Sequence, residues 1–573
     1  MSVTGEGDRR RDGRPAAQFV LGLTVYLTCL LCSGYRDWVW NHALQIPRVQ
    51  VLQDPTLYPG DPLVAALRDY SSSLWPLVAR LAEAFPLGGV LFALYLVEKA
   101  LLVFAGWYLG RAMFPQRRLA PWAVSLLLAL GIKPLLGAGM VTANYMEQTQ
   151  FSVIFFILAM GAALRGRPFV WALAFAAGVH LNIMYGAHVL LYFAAWALLA
   201  LRHRPAISRR WLAAIALFAL LVLPTAYASL ASKVGAQFSR EDWLTVAMTL
   251  TPYHFLPLWW PRGTILLYLF GTAVVVALCW LGWRRHTAGI PVPTFEMVLG
   301  GTVAALAWFA LAFLAAYVIR EPCLLALHPL RGMDVWYALA GSFIIGYLAW
   351  ALEEQTANRD LAYLCYAALA ALLCLRLPYG PFMLLVLAIL IVMPVWVWRR
   401  LLPVTKPTTI AALLCGGALL AVAAHRADQF RCGTSDLYVT GRTPELVEVA
   451  EWIQGHSAPD EGVLVFPWEP MPIFRPLVRR PVFVTWRDGS AVPFHPPYAT
   501  TFLERMAALG TDLRTVPDIR YASDTDLKRL RDDDLLAICR RHHLRYIVLC
   551  AHRSSALPEV YRNAAYKVLE PRP

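Results

Sequence analysis

Apolar runs alternate with short polar segments along most of the chain, from Ala16 to Ala424. The runs are about 17–25 residues long, the length that a helix needs to cross the hydrocarbon core of a bilayer. Their succession predicts a polytopic α-helical membrane protein with about 13 transmembrane helices. The composition agrees, because 58% of the residues are hydrophobic and the mean hydropathy is +0.52.

Basic residues occur in short clusters between the apolar runs, for example at Arg117–Arg118 and Arg399–Arg400. Such clusters mark the cytoplasmic loops of membrane proteins. We therefore expect residues 1–15 to form a cytoplasmic tail, and the odd number of spans places the C-terminus on the other side. The clusters account for the net charge of +14, so we expect no nucleic-acid partner.

Two short spans are predicted between Arg167 and Arg202, because both flanks of this apolar stretch are basic. The break between them should fall at His180–Gly186, where polar side chains and a glycine interrupt the run. Polar groups at membrane depth are costly and often functional, so His180 is a candidate for lining a binding pocket.

After His425 the composition becomes that of a soluble domain. Thr443 and Pro444 predict the capped start of a helix. Strands are predicted at 463–466, 481–486 and 546–549, and further helices at 498–509 and 524–542. This alternation is typical of a small α/β layer structure. We expect a membrane module over residues 16–424 and an extracytoplasmic α/β domain over residues 425–573.

The first segment too polar to stay in lipid directly follows the first span, at Tyr35–Pro62. It is much longer than a simple connection between two spans requires. Leu63–Phe85 then has apolar residues at helical spacing interrupted by charges, which predicts a helix lying on the membrane surface. We interpret residues 35–87 as an active-site loop that the rest of the chain positions.

Three features together resemble the GT-C superfamily of integral-membrane glycosyltransferases: many spans, an acidic residue just after the first span, and a soluble C-terminal domain on the same side. The superfamily includes oligosaccharyltransferases, protein O-mannosyltransferases and aminoarabinose transferases. The chain has no WWD-type motif, so we do not expect a protein N-glycosylating oligosaccharyltransferase. The C-terminal pattern also looks like the periplasmic domain of uncharacterised bacterial members, at Val449–Ile453, Val463–Phe466 and Arg545–Leu549.

This resemblance implies a multi-pass enzyme of the bacterial inner membrane with a cytoplasmic N-terminus and a periplasmic C-terminal domain. It implies a transferase that takes a sugar from a polyprenyl-phosphate donor on the extracytoplasmic side. The implied partners are that donor, membrane lipid, and a glycan, lipid or protein acceptor. Two alternatives stay open: a non-enzymatic, flippase-like protein of lipid or polysaccharide export, and an O-antigen-ligase-like transferase of a different fold.

Three aspartates of the first loop are the candidate catalytic residues. Asp37 occupies the position that the resemblance marks, just after the first span. A carboxylate held where membrane meets water is partly desolvated, which raises its pKa toward the range useful for a general base. Asp54 and Asp61 flank a turn-like stretch, and an aspartate before proline is also a common turn former.

A polyprenyl phosphate leaving group requires cations or hydrogen-bond donors. His328 and Arg331 are predicted at the external membrane face, where the guanidinium fork of Arg331 matches phosphate oxygens. The alternative for Arg331 is that it reaches to lipid headgroups. The other candidate substrate-binding residues lie in the first two external loops: His42, Arg48, Glu147 and Gln148.

No trio of residues has the spacing of metal ligands, so no metal site is predicted. The chemistry of phosphate displacement nevertheless leaves a divalent cation open as a cofactor. Glu98 and Lys99 interrupt the second span. Because adjacent residues on a helix do not face each other, we expect each of them to have its partner elsewhere.

Overall fold

The structure, a computed structural model, describes residues 15–70, 72–131, 136, 143–203, 208–231, 237–284, 289–353, 407–432, 435–468, 470–516 and 530–571. Three predicted features lie outside these ranges. They are the basic N-terminal tail, the end of the third span near Lys133, and the spans predicted between residues 354 and 406.

The chain is a polytopic α-helical membrane protein. Its first part, up to the break before Ile183, contains α1 (Pro15–Ser33), β1 (Tyr35–Asp37), α2 (His42–Gln53), α3 (Pro62–Ala66), α4 (Leu74–Ala84), α5 (Leu87–Met113), α6 (Leu119–Leu130), α7 (Gln148–Leu164) and α8 (Pro168–Leu181). The second part contains α9 (Ile183–Ala200), α10 (Arg209–Ala231), α11 (Arg240–Leu250), α12 (Pro252–Phe255), α13 (Arg262–Arg284), α14 (Val292–Phe313), α15 (Pro322–Leu325), α16 (Gly332–Glu353) and α17 (Pro407–Arg431).

Seven helical segments within the described ranges are long and apolar enough to cross a membrane. Three further apolar helices, α6, α7 and α8, are shorter. The seven segments are Pro15–Ser33, Leu87–Met113, Ile183–Ala200, Arg209–Ser229, Arg262–Trp283, Val292–Ile319 and Pro322–Trp350. The total of 13 spans stays a prediction, because residues 354–406 are not among those described.

Small residues set the close packing of α5 against α6. A Cβ atom at Gly110 would lie 2.6 Å from Pro121 Cα, and one at Gly106 would lie 2.9 Å from Ser125 Cα. In lipid, helices associate through close backbone approach rather than through the hydrophobic effect. A larger side chain at either glycine would therefore push the two helices apart.

The predicted break between two short helices is confirmed. α8 ends at Leu181 and α9 begins at Ile183, and Asn182 between them has an extended backbone. The Asn182 side chain accepts a hydrogen bond from Tyr185 N at 3.3 Å, so it caps α9. The polar residues in this stretch thus end one helix and start the next.

The C-terminal part is the predicted small α/β structure. Strands β3 (Gly462–Val465) and β4 (Leu544–Cys550) run parallel. Strand β6 (Tyr566–Leu569) pairs antiparallel with both β4 and β5 (Glu559–Arg562), so the strand order is β3-β4-β6-β5. The predicted cap of its first helix is confirmed, because the Thr443 side chain accepts from Leu446 N. The elements are β2 (Tyr438–Thr440), α18 (Pro444–His456), β3 (Gly462–Val465), α19 (Phe474–Val478), α20 (Tyr498–Ala508), α21 (Asp532–His542), β4 (Leu544–Cys550), β5 (Glu559–Arg562) and β6 (Tyr566–Leu569).

The first loop and the C-terminal part lie at the same end of the helix bundle. β1 and β2 pair as parallel strands, with Asp37 opposite Thr440. Gly34, which joins α1 to β1, has φ +62°, and a Cβ atom there would lie 3.0 Å from Asp436 O. Only glycine adopts this left-handed conformation without strain at such close approach. The acidic loop and the C-terminal part therefore share a side, and which side is extracytoplasmic stays a prediction.

Two expectations about secondary structure are wrong. Leu63–Phe85 is not one helix, because α3 and α4 are separated by a 3-10 turn at Leu67–Asp69 and by a serine-rich stretch that favours turns. Residues 481–486 do not form a strand but make a single bridge between Val463 and Val482. The Val482 N–H donates to the Asp61 carboxylate at 3.1 Å instead of to a neighbouring strand.

Candidate active site

Glu147 is the centre of a buried cluster of polar side chains at the start of α7. Its carboxylate is 5% exposed and accepts hydrogen bonds from Asn41 Nδ2 at 2.8 Å and from Tyr145 OH at 2.9 Å. Gln45 Nε2 donates a longer bond at 3.5 Å, and Thr149 N donates to the other oxygen at 3.3 Å. The first loop and the segment that leads into α7 are thus joined through one carboxylate.

His42, at the start of α2, packs against the same loop. Its Nε2 lies 3.2 Å from Met146 O and donates to this carbonyl, and the ring meets the Tyr145 ring edge-on with centroids 5.3 Å apart. Burial lowers the pKa of His42 to about 4, with the bond to Met146 O acting against the shift. The imidazole is therefore neutral at pH 7, and it orders the loop rather than supplying a charge.

Tyr70 and Gln148 close the cluster on the side of α4. Trp75 Nε1 donates to Gln148 Oε1 at 2.6 Å, and Tyr70 lies beside both Gln45 and Gln148. Burial, followed by the negative charge of Glu147, raises the pKa of Tyr70. Tyr70 therefore stays protonated and acts as a neutral hydrogen-bonding group near Glu147.

Arg331, at the end of the loop before α16, faces the same region. Its Nε donates to His254 Nδ1 at 3.3 Å, and its Nη2 lies 2.9 Å from His254 Nε2. Glu147 and Asp334 are both close enough to interact electrostatically with the guanidinium. The structure therefore brings together a carboxylate and a guanidinium that the sequence places in different loops.

His328 belongs to the Arg331 side of the cluster. Its ring centroid lies 5.6 Å from that of His254, and its backbone has φ +48°. A non-glycine residue in this region is uncommon and is often found at functional sites. Asp334, in the first turn of α16, accepts a hydrogen bond from Tyr185 OH at 2.5 Å, which ties α9 to α16 beneath Arg331.

Asp37 lies in β1 and is 3% exposed. Arg442 Nη2 donates to Asp37 Oδ2 at 2.9 Å, while the buried Oδ1 makes no hydrogen bond to the residues that the structure describes. Burial raises the pKa of Asp37, and the charge of Arg442 partly opposes this shift. A raised pKa is the property expected of a general base. Among the described hydrogen bonds, none links Asp37 directly to Glu147 or Arg331.

The other two aspartates of the first loop have different surroundings. Asp54 is exposed at the end of α2, and its hydrogen bonds from Thr56 lower its pKa. Asp61 is buried, accepts from Leu63 N and Val64 N as the cap of α3, and forms an ion pair with Arg475 Nε at 2.8 Å. Both oxygens of Asp61 are thus engaged in contacts that hold the fold.

Arg48 and His180 have other neighbours, which do not include Glu147 or Arg331 among the described contacts. Arg48 has Asp69 and Arg68 as its electrostatic neighbours, and its buried Nε makes no hydrogen bond within the described ranges. His180 Nδ1 lies 2.7 Å from Thr225 Oγ1, and its backbone oxygen accepts from Ser73 N at 3.0 Å. His180 therefore anchors the segment before α4.

Sequence reasoning missed several members of the cluster, including Tyr70 and Trp75. Asn41 and Tyr145 are direct donors to Glu147, and His254 is the partner of Arg331. Asn41 and Tyr145 carry no charge and belong to no motif, so only their hydrogen bonds to Glu147 in the structure identify them as members of the cluster. His254 lies among aromatic residues that are typical of the membrane interface, so the sequence did not indicate that it contacts Arg331.

Candidate metal ligands are not grouped in this region. The structure shows no group of three or more His, Cys, Asp or Glu side chains arranged to hold an ion within the described ranges.

Two solved structures align with nearly the whole chain. One is ArnT from Cupriavidus metallidurans in the apo state, with 13% identity, a TM-score of 0.46, and coverage of 97% of this chain and 98% of that one. The other is ArnT from the same organism bound to undecaprenyl phosphate, with 13% identity, a TM-score of 0.46, and coverage of 98% and 99%. No family model matches the chain, and no curated protein matches it.

Proposed function

We propose that this chain is an integral-membrane glycosyltransferase that moves a sugar from a polyprenyl-phosphate donor to an acceptor on the extracytoplasmic side. The observation that carries the proposal is that the buried Glu147 and the half-buried Arg331 are close enough to interact electrostatically at the end of an apolar bundle. A lipid-linked phosphate needs an apolar path for its chain and a cation for its head group, and this arrangement offers both.

The proposed reaction joins an acceptor oxygen to the anomeric carbon of the donor sugar. The bond between that carbon and the phosphate oxygen breaks, and the polyprenyl phosphate leaves with the bonding electrons. The acceptor hydroxyl gives its proton to a carboxylate acting as general base. Negative charge therefore develops on the phosphate, while one proton moves to the protein.

Arg331 is the proposed partner of the leaving phosphate. An arginine is always protonated and presents a planar fork that binds two phosphate oxygens at once. The start of α16 follows immediately, and the free N–H groups of a helix N-terminus add positive potential. His254 and His328 line the same side and are proposed to orient the guanidinium and the phosphate.

Asp37 is the proposed general base. The proposed role of the Glu147 carboxylate is to bind and orient the acceptor and the donor sugar. Asp37 is buried, has a raised pKa and keeps one oxygen without a hydrogen bond among the described residues. Glu147 already accepts several hydrogen bonds from neighbouring side chains and from the backbone of α7. Glu147 is the next candidate base, because Asp54 is exposed and Asp61 is held by Arg475.

Retention of undecaprenyl phosphate by the full chain, measured by native mass spectrometry from lipid nanodiscs, tests the proposal. We expect the parent protein to keep this lipid in preference to phosphatidylglycerol, and Arg331→Ala to lose that preference. Arg165→Ala is the matched control, because Arg165 packs over Tyr108 at the opposite end of α7. The proposal is contradicted if the parent retains the two lipids equally, or if the two variants lose the same amount of the preference for undecaprenyl phosphate.

A further inference from the structure

Trp40, Trp486 and Arg487 form a mixed aromatic and cationic surface where the first loop meets the C-terminal part. The Arg487 guanidinium carbon lies 4.0 Å from the centroid of the Trp486 ring and 4.9 Å from that of Trp40. Arg487 is only 7% exposed, whereas Trp40 is 47% exposed. The charge is thus buried between two indoles, one of which keeps nearly half of its surface open.

The backbone conformation of Trp40 is strained, and this strain costs folding free energy. Trp40 and Trp38 both have φ +53°, a left-handed backbone that bulky L-residues rarely adopt. Trp38 is buried and lies beside Arg442, so packing offsets its strain. Trp40 combines a strained backbone with an exposed indole, and strain of this kind is retained mostly at functional sites.

This surface is continuous with the candidate active site. Asn41, the residue after Trp40, donates to Glu147 at 2.8 Å. Arg487 is close enough to Tyr145 to interact with it electrostatically, and Tyr145 also donates to Glu147. Asn41 and Tyr145 thus connect this surface to Glu147.

We propose that Trp40, Trp486 and Arg487 bind a saccharide ring of the acceptor. The face of an indole is electron-rich and attracts the partly positive C–H groups that cover the apolar face of a pyranose. The Arg487 guanidinium lies over one face of Trp40, and a cation beside the bound ring prefers a sugar that carries a carboxylate. That the bound saccharide is the acceptor rests on the proposed function, whereas saccharide binding itself does not.

Saccharide binding is tested with cellotetraose, whose equatorial hydroxyls leave flat C–H faces, and with its C6-oxidised uronate form. Saturation-transfer NMR on the full chain in nanodiscs should show binding of both, with the uronate bound at least about threefold more tightly. Arg487→Gln should abolish the difference between the two probes. No saturation transfer to either probe with the parent protein would overturn the inference.

Trp40→Gly separates a binding role from a structural one. It removes the indole and relieves the positive φ, so we expect at least about tenfold weaker binding together with an unchanged or higher thermal midpoint. Trp40→Phe keeps an aromatic face and should retain most of the binding. Trp452→Ala, which removes an indole stacked on His456 and Tyr561, is the control and should leave binding unchanged. A lower midpoint with unchanged binding in Trp40→Gly would assign Trp40 to the fold.

The two proposals fail separately. If the parent protein binds cellotetraose through Trp40 but retains no undecaprenyl phosphate, the saccharide site stands and the glycosyltransferase proposal falls. If undecaprenyl phosphate is retained through Arg331 but Trp40→Gly binds both saccharides like the parent, the acceptor site falls and the donor site stands.

Discussion

Lys99 Nζ donates a 2.8 Å hydrogen bond to Glu98 Oε1, although the two residues are adjacent on α5. The expectation that the two residues do not face each other is therefore wrong, whereas the expectation that each has a partner elsewhere is confirmed. Both side chains are fully buried, and in lipid a lone charge is so costly that they bend toward each other despite their spacing. Lys99 also donates to Ala143 O at 2.7 Å, and Glu98 Oε2 lies 3.5 Å from Glu147 N. The pair thus fixes the segment that carries Glu147.

Lys99→Met is expected to destabilise the protein strongly. The variant leaves the Glu98 charge buried without its cation, at a cost of about 3–5 kcal/mol. The double variant Glu98→Gln with Lys99→Met removes both charges and should recover most of the thermal midpoint. Thermal unfolding in nanodiscs measures the effect. A double variant as unstable as the single one would show that packing, and not the lone charge, causes the loss.

Asp37→Asn should abolish transfer with little loss of folded protein. The change keeps the size of the side chain and removes the base, and general-base catalysis contributes about 10²–10⁴-fold in rate. Because burial raises the pKa of Asp37, the rate of the parent should already fall with decreasing pH above the ordinary aspartate range. Turnover of radiolabelled polyprenyl-phosphate sugars as a function of pH is the measurement. Normal turnover in Asp37→Asn would move the role of base to Glu147, tested by Glu147→Gln.

Arg331→Lys should bind and turn over the lipid donor less well than the parent. Lysine keeps the charge but loses the two-pronged geometry, and its single amine cannot span both nitrogens of His254. We expect about a tenfold loss of donor affinity, since one bidentate contact becomes a single one. Donor titration by native mass spectrometry checks this. A variant equal to the parent would make Arg331 a lipid-headgroup anchor.

The stability of the protein should fall as the pH decreases from 6.5 to 4, in part because of His42. The pKa of His42 is about 4 in the folded state and 6.5 when exposed. The unfolded chain therefore binds a proton in this window that the folded protein does not, which favours unfolding by at most about 3 kcal/mol. His42→Asn should flatten the dependence of the thermal midpoint on pH between these values. An unchanged slope would show that His42 does not titrate in this way.

Asp61→Asn and Asp54→Asn should differ sharply in stability. Asp61 and Asp488 share the buried Arg475, so Asp61→Asn removes one of the two ion pairs of that guanidinium, at a cost of about 1.5–3 kcal/mol. Asp54 is exposed, so its variant should stay within about 0.5 kcal/mol of the parent. Thermal unfolding compares them. A stable but inactive Asp61→Asn would instead return Asp61 to the list of catalytic candidates.

The sequence by itself determined the membrane class, the order of apolar helices and the α/β character of the C-terminal part. These follow from hydrophobic length and periodicity, which are local properties of the chain. The break at Asn182 and the cap at Thr443 were predictable for the same reason, because a capping side chain acts on the backbone two or three residues away. Asp37 could be identified as a candidate acid for the same reason, because it directly follows the first apolar run.

Only the tertiary structure decided which polar groups share a site. Glu147 meets Asn41 and Arg331 because alternate helix ends gather at one end of the bundle, and no local pattern encodes contacts between distant loops. The same holds for Asp61, which looks like a turn former in the sequence and is bound to Arg475 more than 400 residues later. A buried charged side chain pairs with a residue that the fold places next to it. The spacing of residues in the sequence does not show which residue that is.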